Sequence, residues 1–282
     1  MIETVIGDYP ERISDDQVQF VDQESFLNFG KVLTDDEVIE GRFAYSRVWL
    51  ANPLSEEACS SDGIPGHPSM TMEKFLHEEA FARIIGNDHV LKIAAAVLDT
   101  PPEDLVYVSG YIHRQLLARQ WEYSDWFWDG WHTDAQPSMD PLTHCNLWIY
   151  FNDCTREEGV TQALKGSVPL MRENLRAGKP IKDRWEEGGT ADGIQALIEE
   201  VGDNPDKGTW AQAPAGGGFA WGGGLWHRIA PNRSGINRQL VTYEYEPRDN
   251  IQKDDWKTKT TAEQRASIIE MLPPEKRYLL EY

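Results

Sequence analysis

The polarity pattern changes character about a third of the way along the chain. Up to Pro102 the apolar residues recur at helical spacing. In "LTDDEVIEGRF" Thr34 stands three residues before Glu37, the signature of a capping box ahead of a helix. "SMTMEKFLHEEAFARIIG" keeps helical spacing and halts at Gly86. "NDHVLKIAAAVLD" follows with Asn87 or Asp88 as cap, and Pro101 and Pro102 close it. Beyond Pro102 the runs are short, aromatic and β-branched: "LVYVSGYIHRQLLARQWEY", "THCNLWIYFND", "GVTQALKGS", "GFAWGGGLWH" and "RQLVTYEYE". Gly, Asn and Asp punctuate them, as in strands that fold on one another.

Residues 169–210 interrupt these strands with a helical or irregular excursion, and long insertions between barrel strands often serve as lids or mouth loops. "TAEQRASIIEML" predicts one last helix over about 260–272, stopped by Pro273 and Pro274. Helices, then many strands, then a helix predict an α+β domain whose core is a β-sandwich or jelly roll. The expected divisions are a helical part over about 1–104 and a strand core over about 105–247, within one domain.

A chain of 282 residues, 40% hydrophobic and 11% aromatic, can bury one large core. The net charge is −20 and no run of Lys or Arg tracks phosphates, which argues against nucleic acid and anionic membrane as partners. The three cysteines, Cys59, Cys145 and Cys154, are odd in number and include no CxxC, so a reducing compartment is expected. The N-terminal stretch lacks the basic and apolar regions of a signal peptide, and no run approaches the roughly 18 apolar residues of a membrane span. A cytoplasmic protein with a small-molecule substrate is expected; nothing in the pattern sets an oligomeric state.

"WDGWHTDAQP" (128–137) narrows the chemistry. His132 and Asp134 are two apart, so on an extended strand they share a face. Alone, such a triplet suits a solvated turn as well as a metal site. "GGGLWHRIAPNRSGINRQLVTYEY" supplies more: His227 follows a glycine-rich strand and Arg238 opens the next. Two imidazoles and one carboxylate suit Fe(II) and leave three of six octahedral positions open. Two of those hold a bidentate co-substrate and one holds O2. A guanidinium fork at Arg238 can grip the far carboxylate of a dicarboxylate, and 2-oxoglutarate fits. In a jelly roll, His227 is expected from a strand packed across from His132 and Asp134.

From about Phe20 to Glu246 the chain resembles the phytanoyl-CoA dioxygenase family of Fe(II)/2-oxoglutarate enzymes. "WHTDAQP" is similar to its His-x-Asp segment. "LWIYFNDCTREEGVTQALKGSV" is similar to its strand–turn–strand, with Gly159, Gly166 and Ser167 in place. "PAGGGFAWGGGLWHRIAPNRSGINRQLV" is similar to its distal histidine run, with the arginine eleven positions after the histidine. The resemblance implies a double-stranded β-helix, a triad of His132, Asp134 and His227, and a co-substrate site at Arg238 with Gln115. Two departures stand out. Val168 replaces the histidine of the family's Gly-Ser-His, and Ile229 occupies a place where relatives carry a small hydroxyl that helps hold 2-oxoglutarate. Relatives that halogenate lack the triad carboxylate, so Asp134 argues against halogenation.

For the substrate, Trp126 and Trp128 share the parity of His132 and are expected to wall the cavity, whereas Trp131 points to a helix layer. Trp faces with nearby carboxylates suit a cationic head, and Arg114 or Arg119 an acidic end. His113 and His144 are expected to be structural. The expected activity is hydroxylation of an unactivated C–H in a small polar metabolite, with quaternary ammonium or aminophosphonate character. A natural-product tailoring oxygenase, a non-catalytic jelly-roll binding protein, and a cupin-like metal enzyme without 2-oxoglutarate are the alternatives.

Overall fold

The computed structural model describes residues 20–21, 23–52, 69–115, 131–134, 143–179, 193–203, 208–230 and 232–282. The elements run β1 (Phe26–Phe29), α1 (Asp35–Ala51), β2 (Ser69–Thr71), α2 (Glu79–Ile85), α3 (Asp88–Leu98), β3 (Leu105–Gln115), β4 (Cys145–Tyr150) and β5 (Thr161–Ala163). Then come α4 (Ser167–Arg176), α5 (Ile194–Asp203), β6 (Thr209–Trp210), β7 (Gly218–Gly222), β8 (His227–Ile229), β9 (Arg238–Pro247), α6 (Asp255–Lys259) and α7 (Ala262–Met271).

The helix starts follow their caps. The Thr34 side chain accepts from the Glu37 amide while Glu37 reaches back to the Thr34 amide, and Asp35, Asp36 and Glu37 complement the positive end of α1. Asn87 accepts from the His89 and Val90 amides at the start of α3. Six strands form a major antiparallel sheet in the order β1-β7-β4-β9-β3-β2, and three form a minor sheet in the order β6-β5-β8. Such a pair of facing sheets, flanked by helices, is the jelly-roll core.

Strand alternation sorts the side chains into layers. On the helix side of the major sheet, Ile112, Leu147, Ile149, Val241, Tyr243 and Tyr245 pack with Tyr45, Val48, Phe81, Val90 and Leu91 in the largest buried cluster. On its other side Trp148, Tyr150, Phe219, Trp221 and Leu240 pack with Ala163 and Ile229 of the minor sheet. The outer face of the minor sheet is covered in turn. Met171 of α4 and Ile194, Ile198 and Val201 of α5 bury their apolar stripe against Trp131, Leu164 and Trp226.

Three local expectations are corrected. The helical first part contributes two strands: β1 pairs with β7 and β2 with β3 at opposite edges of the major sheet. Both are short, and long-range pairing rather than local pattern makes them strands. The run from Ser69 is therefore a strand and a 3-10 turn before α2, which is helical only over Glu79–Ile85. "GFAWGGGLWH" is two strands in different sheets, because the turn through Gly223 and Gly224 carries the chain from β7 across to β8. In the 169–210 excursion α4 and α5 form the outer layer on the minor sheet, since their apolar stripe requires burial there, and Thr209–Trp210 joins that sheet as β6.

Candidate active site

His132 and His227 are backbone partners. Each amide donates to the other's carbonyl, at 3.0 Å from His132 N and 2.9 Å from His227 N, and this bridge closes the free edge of β8. The histidines are thus neighbours across a ladder, not residues of facing sheets, which corrects the expected crossing. Their rings stand 4.4 Å apart. Thr133, between His132 and Asp134, donates to the Gly223 carbonyl, and Trp131 turns the other way into the α4–α5 layer, as alternation predicts.

Among the described residues, His132, Asp134 and His227 are the group of three His, Cys, Asp or Glu side chains gathered closely enough to hold a metal, with ligand atoms within 4.8 Å of one another. Nε2 of His132 lies 3.9 Å from Asp134 Oδ1, and Nε2 of His227 lies 3.8 Å from Asp134 Oδ2. Bonds of about 2.1 Å to a six-coordinate ion place cis ligand atoms about 3 Å apart, so small side-chain rotations close the ring. Nδ1 of His227 sits 3.0 Å from the Leu225 carbonyl, which fixes the proton on Nδ1 and leaves Nε2 to donate its lone pair. Burial pushes the His227 imidazole down to about 4, with His132 adding to the shift and Asp134 opposing it, so the ring is neutral near pH 7. Burial raises the Asp134 carboxyl, but His227, His132 and the Trp221 N–H outweigh it and hold the group ionised.

Two contacts that sequence reasoning missed orient that carboxylate. Asn146 Nδ2 donates to Asp134 Oδ2 at 2.7 Å, and Trp221 Nε1 donates to the same oxygen at 2.9 Å. With Oδ2 engaged, Oδ1 is the oxygen left for a metal. The signal was present in "HCNLWIYF": a lone Asn inside an apolar strand requires a polar partner.

Arg238 lies on the facing sheet and is 0% exposed. Its Nη1 donates to the Gly159 carbonyl at 2.7 Å, and its guanidinium stacks 5.2 Å from the Trp148 ring. Gly159 has φ 74, a left-handed turn that favours glycine and presents its carbonyl at that point. Nε and Nη2 of Arg238 are buried without a hydrogen-bond partner among the described residues. Burial, with the Arg238 charge adding to it, lowers the His113 imidazole to about 3, so this neighbour of the guanidinium is neutral. A buried cation with two bare N–H groups fits a missing anion.

The other expected residues fall out as follows. Gln115 pairs in register with Arg238, beside the anchor, though its side chain is outside the described residues. Arg114 shares the strand face of Ile112, which packs in the helix-side cluster, so alternation points it away from the triad. Arg119, Trp126 and Trp128 lie outside the described residues. His144 is buried against Glu246 at 2.9 Å and Glu244 at 3.8 Å.

A jelly roll with two imidazoles and a carboxylate at one strand edge, and a buried guanidinium on the facing sheet, belongs to the class of non-haem iron enzymes that bind an oxo-dicarboxylate. The family model for phytanoyl-CoA dioxygenase matches residues 71–240, more than half of the sequence. The chain belongs to this family of oxygenases, which use Fe(II), 2-oxoglutarate and O2. No curated protein matches it. Among solved structures, SnoK, a non-haem α-ketoglutarate-dependent carbocyclase from nogalamycin biosynthesis, has TM-score 0.61 and 17% identity over 89% of this chain and 92% of that one. EvdO2 from Micromonospora carbonacea var. aurantiaca, complexed with 2-oxoglutarate, gives 0.55 and 18% over 86% and 93%. HygX from Streptomyces hygroscopicus, with nickel and 2-oxoglutarate bound, gives 0.53 and 17% over 84% and 88%. These likenesses establish the shared fold. No described helix is long and apolar enough to cross a membrane.

Proposed function

We propose that His132, Asp134 and His227 hold Fe(II), that Arg238 holds the outer carboxylate of 2-oxoglutarate, and that the enzyme hydroxylates a C–H bond of a small polar metabolite. The observation that carries this reading is the pairing of a converged triad with a fully buried arginine whose Nε and Nη2 have no partner among the described residues. When bound, iron and 2-oxoglutarate supply the oxidising power of O2 for an unactivated C–H. The protein's own part is geometric. The Leu225 carbonyl sets the His227 tautomer, Asn146 and Trp221 hold one oxygen of Asp134, and the Trp148 face supports the guanidinium.

The polar substrate is favoured by what flanks the triad. Glu244 pairs in register with Asn146, the residue that holds Asp134, and it is joined by His144, Glu246 and Lys253. A charged, hydrogen-bonded wall next to the metal suits a substrate with its own charges, such as a zwitterion, better than a long acyl chain. Tailoring of a natural product is the second reading. SnoK, from nogalamycin biosynthesis, favours it, and the fold accommodates oxidations other than hydroxylation, carbocyclisation in SnoK's case.

The test is anaerobic addition of Fe(II) and then 2-oxoglutarate to the metal-free protein, followed by visible absorbance. Wild type is expected to develop the weak charge-transfer band of a bidentate chelate, and His227→Ala is expected to lack it. A binding protein without turnover would form the band but release no succinate in air with any substrate of the set. No band in iron-loaded wild type refutes the 2-oxoglutarate reading. Zwitterionic and polycyclic compounds are then screened for perturbation of the band and for substrate-dependent succinate release.

A further inference from the structure

Thr242 is 3% exposed, and its Oγ1 is buried without a hydrogen-bond partner among the described residues. Native folds leave few such hydroxyls bare, so a ligand is the partner to look for. Register locates it. On the face of β9 that looks toward the minor sheet, Thr242 stands between Leu240 and Glu244, with Tyr111 of β3 on one side and Trp148 of β4 on the other. Asn146, which holds Asp134, is two residues before Trp148 and opposite Glu244. A diagonal step of about 7–8 Å therefore separates the backbone of Thr242 from that of the residue holding a triad carboxylate. Arg238 lies four residues the other way, about 13 Å along β9, so the carboxylate it holds is not the partner of Thr242.

The chain returns to this place after β9. The Gln252 and Lys253 amides donate to Glu246 Oε2 at 2.6 and 3.1 Å, and Ser109 Oγ donates to Asp255 Oδ2 at 3.0 Å. Residues 252–255 are thereby pinned to the same face of the sheet. Lys253 Nζ donates to Glu244 Oε2 at 2.7 Å and to the Tyr111 hydroxyl at 3.5 Å, and it stands 5.3 Å from the centre of the Tyr111 ring. The carboxylates here are engaged, whereas the donors have protons to spare. Glu244 is taken by Lys253, and Glu246 by His144 and the two amides. Thr242 keeps its proton, Tyr111 accepts from Lys253 and so keeps its own, and the ammonium has a third N–H beyond the two it uses. The Lys253 side chain is 29% exposed, so an incoming molecule can meet it. Three spare donors, one of them charged, suit an anionic acceptor.

We infer that Thr242, Tyr111 and Lys253 form an oxyanion subsite that holds a carboxylate, sulfonate or phosphonate group of the substrate beside the triad. This rests on the proposed function above and narrows its substrate to a molecule with an anionic end. It also moves that role away from Arg114, which alternation turns to the helix side, and gives it to an ammonium from the segment after β9.

The experiment takes metal-free, full-length protein carrying Arg238→Met, so that neither iron nor the guanidinium competes for the anion. It is titrated with propionate and with the uncharged isostere propionamide, read by ligand-observed NMR. Propionate is expected to bind about 10-fold or more tightly than propionamide. Adding Thr242→Val or Tyr111→Phe is expected to raise the propionate dissociation constant roughly 10-fold, the loss of one hydrogen bond to a charged group, with Thr242→Ser within about 3-fold. Lys253→Met, paired with Glu244→Gln so that no lone charge is left, is expected to erase the preference for propionate. Thr242→Val is expected not to lower the melting temperature, since it removes a bare hydroxyl. Equal affinity for the two probes overturns the subsite, and so does propionate binding that is indifferent to Thr242→Val and Tyr111→Phe. With Arg238 intact and Fe(II) bound anaerobically, the 2-oxoglutarate dissociation constant read from the charge-transfer band is expected to be unchanged in Thr242→Val. A roughly 10-fold rise there gives the hydroxyl to the co-substrate and also overturns the subsite. Absence of any band in wild type refutes the 2-oxoglutarate reading alone, because the propionate titration uses neither iron nor 2-oxoglutarate.

Discussion

Replacing Arg238 by methionine is expected to stabilise the ligand-free protein while removing its response to 2-oxoglutarate. The guanidinium is 0% exposed and, among the described residues, makes one hydrogen bond, to Gly159, and leaves Nε and Nη2 bare. Each bare buried polar group costs about 1–3 kcal/mol, and the buried charge adds several more. Methionine is apolar and flexible enough to fill the same slot. It gives up the charged hydrogen bond, about 1.5–3 kcal/mol, and the stacking on Trp148, about 0.5–2 kcal/mol, and it strands the Gly159 carbonyl. The balance favours methionine by about 1–4 kcal/mol, the range found when buried charges are replaced by apolar groups. At about 2–4 °C per kcal/mol for a chain of this size, the metal-free melting temperature rises by several degrees. Ligand works in the opposite direction. At a 2-oxoglutarate concentration about 100 times its dissociation constant, wild type gains about 2.7 kcal/mol and the variant gains nothing. The assay is thermal unfolding of both proteins, metal-free and then anaerobically with Fe(II) and 2-oxoglutarate. A variant that melts below wild type when metal-free refutes the argument about the bare guanidinium. A variant that keeps the 2-oxoglutarate shift refutes the anchor.

Trp221→Phe removes the N–H that holds Asp134 Oδ2, and metal affinity is expected to fall about 10–100-fold in anaerobic equilibrium dialysis, with Asp134→Ala losing more than that. His144 should tie stability to pH: burial pulls its pKa down, but the hydrogen bond to Glu246 and the Glu244 charge outweigh this and raise it. Its contribution is complete below the unfolded value of about 6.5 and is lost as pH rises through the higher folded value. Urea unfolding across that window should therefore show a decline for wild type and a shallower one for His144→Gln. Thr34→Ala breaks the capping box of α1 and is expected to cost about 0.5–2 kcal/mol, read as a shift in the urea midpoint without a change in slope.

The parts of this protein that the sequence declares are those governed by local rules. The Thr34 and Asn87 caps, the alternation of "RQLVTYEYE" and the spacing of His132 to Asp134 each act within a few residues, and each appears in the structure as read. What escaped is set by pairing at a distance. Phe26–Phe29 is a strand because β7 lies beside it, and Ser69–Thr71 because β3 does. The ladder bridge between His132 and His227 has no trace in either motif. Asn146 and Trp221 matter only because their strands are neighbours under Asp134, a relation that register creates and spacing does not.

The reciprocal amide–carbonyl bridge between His132 and His227 ties the proposed metal site to the breathing of a sheet edge. The rings keep their own side-chain rotations, but their Cα atoms cannot separate until both backbone hydrogen bonds open, so fraying of β8 pulls the two imidazoles apart. Amide exchange at these two positions then acts as a clock for site opening, and a metal held by both rings slows both amides together. A metal held by both rings would then be felt at the sheet edge, as slower opening of two backbone hydrogen bonds.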